Sequence, residues 1–534
     1  MPRVALIGLD SSDHRLIASL IDDGRLPVLE RLFAEGARLR LQSEEPVGWV
    51  WESFLNGSLS ADDQFVFDPA TYETWYLEAR GDRPFFVTDP PTVVNALDVP
   101  FMSLRHPVPG AQVTAWGGHN PNYPRASNPS GLLDEIDRRF GRHPAFGRDR
   151  AEWHDTDSLT RVGSALVEGA ARRGEIARWL LAERPEWDLF LAVFSEMHSA
   201  GECMWQGIDD THPLSSRPEA AVAREHLEAT YIAVDAAIGR VVDALPPDTI
   251  AIVCSLHGTR ADGLDLPTTV LLPELLHRLE FGTPYLASSG DERWKARGCV
   301  PVVPSDATWT AHMRRAEVDA RQRPGLRRLR RPHYPPPWPA APTPGETPLS
   351  PGEIARPVKR ADAPVPAWSR PRWPSMRASA VPSVYTGRVR LNVAGRERDG
   401  RVQPRDYVEV RREIESEVRA CRDPRTGTEV VESVVTAADD PFAVPNNQPD
   451  LLIRWAGMAD AFEHPRIGIV GPYPYLRTGG HTLDGFAVIT GPGIRSADLG
   501  TALASALPPT IMGLLGRDVP EGVEGSVISL GIDA

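Results

Sequence analysis

The stretch Val193-Phe194-Ser195-Glu196-Met197-His198-Ser199-Ala200-Gly201-Glu202-Cys203-Met204-Trp205 sets polar, metal-capable side chains directly behind an apolar run at 189–194. Two other apolar runs end the same way: residues 3–9 lead into Asp10, and residues 249–254 lead into Ser255-Leu256-His257-Gly258. Short apolar runs of this kind read as buried strands. In an open parallel sheet, ligands and chemistry collect beyond the carboxyl ends of the strands. Asp, His and Glu delivered to one edge therefore suggest an active-site crater. The ordinary reading stands beside this one. A histidine after a strand most often only makes a hydrogen bond. Glu196 is either a general base beside the crater or the cap of the helix containing Trp205.

The elements that must position these residues alternate between strand and helix. After the first strand, Ser12 can cap a helix, because a hydroxyl can accept an orphan backbone N–H. Leu16, Ile17, Leu20 and Ile21 form its apolar stripe, and Gly24 stops it. A helix at 27–35 and a strand at 37–41 follow. Strand-like segments lie at 84–87 and 93–98, ahead of Trp116-Gly117-Gly118-His119. Helical periodicity spans 158–183, and a long helix at 220–245 presents Leu227, Tyr231, Val234, Ile238 and Val241 on one face. Its Asp235 is expected to bond structurally. Further on come a helix at 271–279, a strand at 383–393, a helix at 406–420 and strands at 451–455 and 486–490. Such alternation predicts an α/β fold with a mainly parallel central sheet flanked by helices.

With 534 residues the chain exceeds the usual single-domain range. Its 41% hydrophobic content is ample for a packed core. A net charge of −14 argues against nucleic-acid binding, which favours a basic footprint. No stretch approaches the roughly 20 apolar residues of a membrane helix, and residues 1–9 lack the pattern of a signal peptide. Four scattered cysteines (Cys203, Cys254, Cys299, Cys421) fit a reducing compartment. A cytoplasmic location is the expectation. From 290 to 375 the composition turns to Pro and Arg, with Arg327-Arg328-Leu329-Arg330-Arg331 ahead of Pro335-Pro336-Pro337. Three segments are expected: 1–289 as the first part of the core, 290–375 as an insertion or lid, and 376–534 as the second part. The insertion is either a solvated excursion or an arm that binds a protein partner.

Taken together, the pieces resemble the alkaline phosphatase superfamily, nearest its nucleotide pyrophosphatase/phosphodiesterase branch. The carrying residues are Ile7-Gly8-Leu9-Asp10, the "GRLPVLERLFAEG" run from Gly24, the Trp51-to-Gly57 turn and the 193–205 stretch. They continue with "YIAVDAAIG" from Tyr231, Ser255-Leu256-His257-Gly258, "GGHTLDGFAVITGPGI" from Gly479 and "PPTIMGLLG" from Pro508. The resemblance implies an alkaline-phosphatase-like sandwich with an irregular Pro/Arg-rich insertion. It also implies two divalent ions, usually zinc, that stabilise an in-line displacement.

Carried over by position, Asp10 matches an early Asp ligand and His257 the His of a Ser-Asp-His-Gly motif. Leu256 stands where that motif has its Asp, and the nucleophile position falls on Val47, which has no hydroxyl. His198 and Glu202 keep a four-residue spacing as His-xxx-Glu where the family has Asp-xxx-His, and His481 matches a late His. Asp10 and His257 alone would hold an ion poorly, since stable sites generally use three or more protein ligands. His198, Glu202 and His481 form a His₂Glu set compatible with one divalent ion, zinc being expected.

The resemblance thus implies a phosphodiesterase- or phosphatase-type enzyme with a reduced metal site. It would act on a small anionic phosphate or related ester without a Thr or Ser nucleophile; Ser53 and Ser43 offer hydroxyls only if the loop register slips. The rival is a catalytically inactive module kept for binding. A third reading is metal-free proton transfer by His257 and Glu196. His119, Asn392, Arg396 and Arg477 are candidate substrate-binding groups, because an arginine at a strand end can clamp an anion bidentately; more often such residues tie loops together.

Overall fold

The computed structural model describes residues 2–43, 47–58, 65–77, 83–119, 125–149, 155–289, 300–303, 307–318, 355–357 and 365–530. Its central sheet has nine strands: β1 (Arg3–Leu9), β2 (Ala37–Gln42), β3 (Val94–Leu97), β4 (Gly110–Thr114), β5 (Ala126–Asn128), β6 (Leu189–Phe194), β7 (Thr249–Ser255), β8 (Asp484–Thr490) and β9 (Ala497–Leu503). Their spatial order is β9-β2-β8-β7-β1-β6-β3-β4-β5. The run β7-β1-β6-β3-β4 is parallel throughout. Strand β8 enters antiparallel between β7 and β2, and β5 closes the far edge antiparallel to β4. The fold is α/β with a largely parallel sheet, as the alternation of elements predicts.

Strand β1 shows why the sheet must be covered on both sides. Ala5, Ile7 and Leu9 enter one buried cluster, while Val4 and Leu6 enter another, because successive side chains of a strand face opposite ways. The first cluster lies under helices α1 (His14–Asp22), α2 (Pro27–Glu35), α3 (Thr156–Glu183), α4 (Glu196–Met204) and α5 (Glu219–Val242). The second lies under the helices Val50–Asn56 and Leu507–Leu514. Asp235 on α5 accepts the backbone N–H groups of Val28 and Leu29, tying α5 to the start of α2, which is the structural use expected of it.

Three local expectations are corrected. Asp13, not Ser12, caps α1: its carboxylate accepts from the backbone of Arg15 and Leu16. Residues 84–87 form turns rather than a strand; Pro84 has no N–H to give a ladder. The single strand expected at 383–393 is a hairpin, Ala378–Val381 with Gly387–Leu391. That hairpin belongs to a separate antiparallel sheet with Leu451–Trp455 and Val431–Thr436, which has its own buried cluster. In the Pro/Arg-rich stretch, Trp309, Met313, Trp368 and Trp373 are buried in that second core. The Arg327–Arg331 run lies outside the described residues.

At the carboxyl edge of the parallel run the backbone turns into the left-handed region three times. Ser11, Asp98 and Ala115, the residues that follow β1, β3 and β4 almost directly, all have positive φ (53°, 52° and 55°). Non-glycine residues hold that conformation only where surrounding contacts over-determine it.

Gly8, near the end of β1, is another tight point. A Cβ there would lie 2.4 Å from the Trp51 ring and 3.0 Å from Val193, and Trp51 donates its Nε1–H to Asp10 Oδ1 at 2.7 Å. Gly8→Ala is expected to cost about 1–3 kcal/mol through overpacking. A lower urea midpoint, with a changed tryptophan emission in the native state, would show it.

Candidate metal centre

Every strand of the parallel run sends a polar group past its carboxyl end: Asp10 after β1, Asp98 after β3, Trp116 to His119 after β4, Glu196 to Glu202 after β6, and His257 after β7. A two-stranded ribbon, Gly258–Ala261 paired with Gly479–Thr482, brings His481 opposite Thr259 beside them.

Asp10 is the hub. Its Oδ2 lies 2.8 Å from His198 Nδ1, and its Oδ1 takes Trp51 Nε1 at 2.7 Å and His257 Nε2 at 3.2 Å. Burial by itself would raise its pKa, but His198 and His257 hold the carboxyl well below the ordinary range. Glu202 is the second hub. Its Oε1 pairs with Arg477 and lies 3.5 Å from His198 Nε2, and its Oε2 lies 3.3 Å from His119 Nε2. Burial again opposes ionisation, yet Arg477 and His119 keep Glu202 well below the usual range. His119 is in turn held at Nδ1 by Asp149 (2.7 Å) and Ser199 (2.8 Å). Its ring stacks on His198 with centroids 4.0 Å apart. Although burial lowers its pKa, Glu202 and Asp149 outweigh that and raise it to about 9.

Two groups of three ligand atoms result, each within 4.8 Å of one another: Asp10, His198 and His257, and His119, His198 and Glu202. The donors fit a divalent cation. Among the described residues, His198 Nε2 and His257 Nδ1 are buried nitrogens with no hydrogen-bond partner. His119 and His198 each have one ring nitrogen fixed by a carboxylate, the usual support of a metal-bound imidazole.

The residues singled out in the sequence divide into those at this centre and those elsewhere. Asp10, His198, Glu202 and His257 stand together. His481 lies beside them, edge-on to His198 (4.6 Å) and His257 (4.7 Å), with Nδ1 2.9 Å from Ser11 Oγ, but it joins neither group. His119 completes the second group instead. Burial, with the positive fields of His198, His257 and Arg477, holds His481 well below the ordinary histidine pKa, so its ring is neutral. Arg477 is at the centre, but Glu202, Asp262 (3.1 Å) and Asp265 (2.5 Å) occupy its guanidinium, which leaves it a poor clamp for an anion.

Three candidates lie elsewhere. Glu196 is fully buried between Arg173 (2.9 Å) and His143 (3.0 Å), with its contacts away from the two ligand groups. Asn392 and Arg396 belong to the second core, where they tie loops together. Asn392 bonds Tyr72 and three backbone carbonyls, and Arg396 bonds Glu397 and Asp450. The Val47 side chain lies outside the described residues. Ser43 donates its hydroxyl to the Leu256 carbonyl.

Several residues the sequence reading passed over support the centre. Arg173 of α3, fully buried, bonds Asp98 (2.7 Å), Glu196 (2.9 Å) and the carbonyl of Gly117 (2.8 Å). Asp98 in turn accepts from the backbone of Trp116 and Gly117 at 2.7 Å each. This network joins the loop carrying His119 to the start of α4, which carries His198 and Glu202. Asp98 had a signal, since it ends an apolar run just as Asp10 does. Arg173 had none, because an arginine on a long helix is ordinarily solvated.

No family model matches the chain, and no curated protein matches it. Among solved structures the chain is similar to wild-type alkaline phosphatase PafA, at 11% identity over 100% of each chain with a TM-score of 0.48. It is similar to murine ectonucleotide pyrophosphatase/phosphodiesterase 5, at 11% identity over 98% of this chain and 97% of that one, TM-score 0.42. It is also similar to phosphonoacetate hydrolase from Sinorhizobium meliloti 1021 in complex with phosphonoformate, at 13% identity over 96% of each chain, TM-score 0.39.

Two outcomes test the electrostatics. Arg173→Met would leave Asp98 and Glu196 buried without their guanidinium partner, with only the Trp116 and Gly117 N–H groups and His143 beside them, so stability should drop by about 3–5 kcal/mol in urea titration. A His119 pKa raised to about 9 stabilises the metal-free fold fully below the ordinary histidine value of 6.5, and that contribution is lost as pH rises through about 9. In the presence of chelator, unfolding free energy should therefore fall between these pH values, and His119→Gln should flatten the slope.

Proposed function

We propose that the chain is a divergent metal-dependent enzyme of the phosphodiesterase/phosphatase type, acting on a small phosphate or related ester in the cytoplasm. The observation that carries the reading is the grouping of His119, His198 and Glu202, whose ligand atoms all lie within 4.8 Å of one another, with His198 Nε2 facing Glu202 Oε1 at 3.5 Å. These three residues would hold a divalent ion, zinc being the favoured identity for a nitrogen-rich set. When bound, the ion supplies the Lewis acidity that an ester oxygen needs as charge develops on it.

The chain's own groups do the positioning. Asp10 fixes the His198 ring at Nδ1, Asp149 and Ser199 fix His119, and Arg477 fixes Glu202. Because Arg477 is already shared among three carboxylates, an anionic substrate gains little from it and must take its binding from the ion. Asp10 and His257 serve as further ligands or as the acid–base pair. No Thr or Ser nucleophile is required by this arrangement.

A second reading has its own observation. The Arg477–Glu202 pair, with the proton on His119, already supplies Glu202 with the positive charge an ion would bring. This favours a metal-free binding module that has kept the architecture without the catalyst. Elemental analysis of protein purified without chelator separates the two. The enzyme reading expects at least one zinc, manganese or iron per chain and turnover of aryl phosphate mono- or diesters. It also expects His198→Ala and Glu202→Gln to lose both. A metal-free wild type inactive on these esters would overturn the enzyme reading and favour the binding module.

A further inference from the structure

Three N–H groups meet on the Asp10 carboxylate. Trp51 Nε1 (2.7 Å) and His257 Nε2 (3.2 Å) reach Oδ1, and His198 Nδ1 (2.8 Å) reaches Oδ2. An ionised carboxylate only accepts, so each of these nitrogens carries its proton toward Asp10. The donors differ in kind. An imidazole can pass its proton from one ring nitrogen to the other, whereas an indole N–H is a donor in every state of the protein. Rotamer preference does little to choose among orientations of a carboxylate about its Cβ–Cγ bond. The plane of the Asp10 carboxylate is therefore set by its donors, and the shortest of the three contacts comes from the one donor that cannot change.

Packing fixes the indole on its own side. Trp51 lies on the helix Val50–Asn56 and is 2% exposed. Its ring fills the space beside Gly8 of β1 and meets Phe54 edge-on at 5.8 Å. Phe54 meets Phe85 at 5.5 Å and Phe85 meets Phe86 at 5.3 Å, both edge-to-face, so a row of aromatic rings stands behind it. The same helix is tied to its surroundings by Phe85, whose N–H donates to the Leu55 carbonyl at 2.7 Å.

We infer that Trp51 is a positioning residue for the centre: its N–H fixes the plane of the Asp10 carboxylate, and Asp10 through Oδ2 fixes the His198 ring. The inference goes beyond the metal-enzyme reading and needs no ion, because every contact in it belongs to the chain. Without the indole N–H, Oδ1 keeps only the longer His257 contact. The carboxylate can then turn, and His198 Nδ1 loses the oriented acceptor that holds its proton.

The test follows single N–H protons by nuclear magnetic resonance in chelator-treated protein. In the wild type the Trp51 Nε1–H and His198 Nδ1–H signals should both exchange slowly with solvent, and His198→Gln assigns the second. Trp51→Phe should speed exchange of the His198 proton at least tenfold. Trp51→benzothienylalanine, which keeps the bicyclic shape and lacks the N–H, should do the same if Trp51→Phe fails to fold. Phe85→Leu loosens the same aromatic row without touching the hydrogen bond. It should lower the urea midpoint and leave the His198 proton protected. On aryl phosphate esters, Trp51→Phe should lower kcat at least tenfold with KM unchanged. A His198 proton equally protected without the indole N–H would overturn the inference, as would an unchanged kcat in an active enzyme. So would equal loss of protection in Phe85→Leu, since packing would then be the cause. An inactive wild type would remove the enzyme reading and leave the exchange measurement to decide the positioning role.

Discussion

Carboxylates taken out of water govern the architecture of this molecule. Asp10, Asp98, Glu196 and Glu202 all sit at the carboxyl edge of the parallel strands with almost no solvent contact. An ionised acid buried in that way is tolerated only with positive or hydrogen-bonding partners at close range. Each of the four has recruited them: imidazoles and an indole around Asp10, Arg173 for Asp98 and Glu196, and Arg477 with His119 for Glu202. The positions of α3, α4, the 115–119 loop and the 479–482 ribbon all answer to this requirement.

The rim therefore divides into two kinds of acid. Around Arg173 the charges close on themselves. Its guanidinium reaches Asp98, Glu196 and the Gly117 carbonyl, and His143 completes the Glu196 shell. Nothing there is left to offer a ligand, and the network serves as a brace. Around Asp10 and Glu202 the partners are mostly imidazoles, which keep a second nitrogen after one is used. That residual valence, seen at His198 Nε2 and His257 Nδ1, separates a site from a strut. The sharp turns at Ser11, Asp98 and Ala115 share the same edge, so backbone strain is concentrated where side chains must be aimed.

The second, antiparallel sheet relates to the centre at one point. Tyr385, in the hairpin between Ala378–Val381 and Gly387–Leu391, lies over the Arg477 guanidinium at 5.6 Å and beside His481 at 5.5 Å. The hairpin thus brings an aromatic side chain, itself packed against the main-sheet cluster, to a centre built at the main sheet's edge and the 479–482 ribbon. Its own buried ion pairs, Arg396 with Asp450 and Arg390 with Glu397, hold that core together and lie apart from the centre.

The α/β class, the parallel strands ending in Asp10, Ser195 and Leu256, and the long helix α5 were legible in the sequence. Apolar runs and helical stripes report directly which faces are buried. Four of the residues at the centre, Asp10, His198, Glu202 and His257, were legible for the same reason, since each follows a strand and the edge of a parallel sheet is where such residues gather. Tertiary structure alone decided that His119 rather than His481 completes the Glu202 group. It alone decided too that Glu196 is locked to Arg173 and that Arg477 is consumed by three acids. Those outcomes depend on which side chains from distant segments reach one another within about 3 Å in a low-dielectric interior. Local pattern records the burial of a face, but it carries no information on the pairing of charges across it.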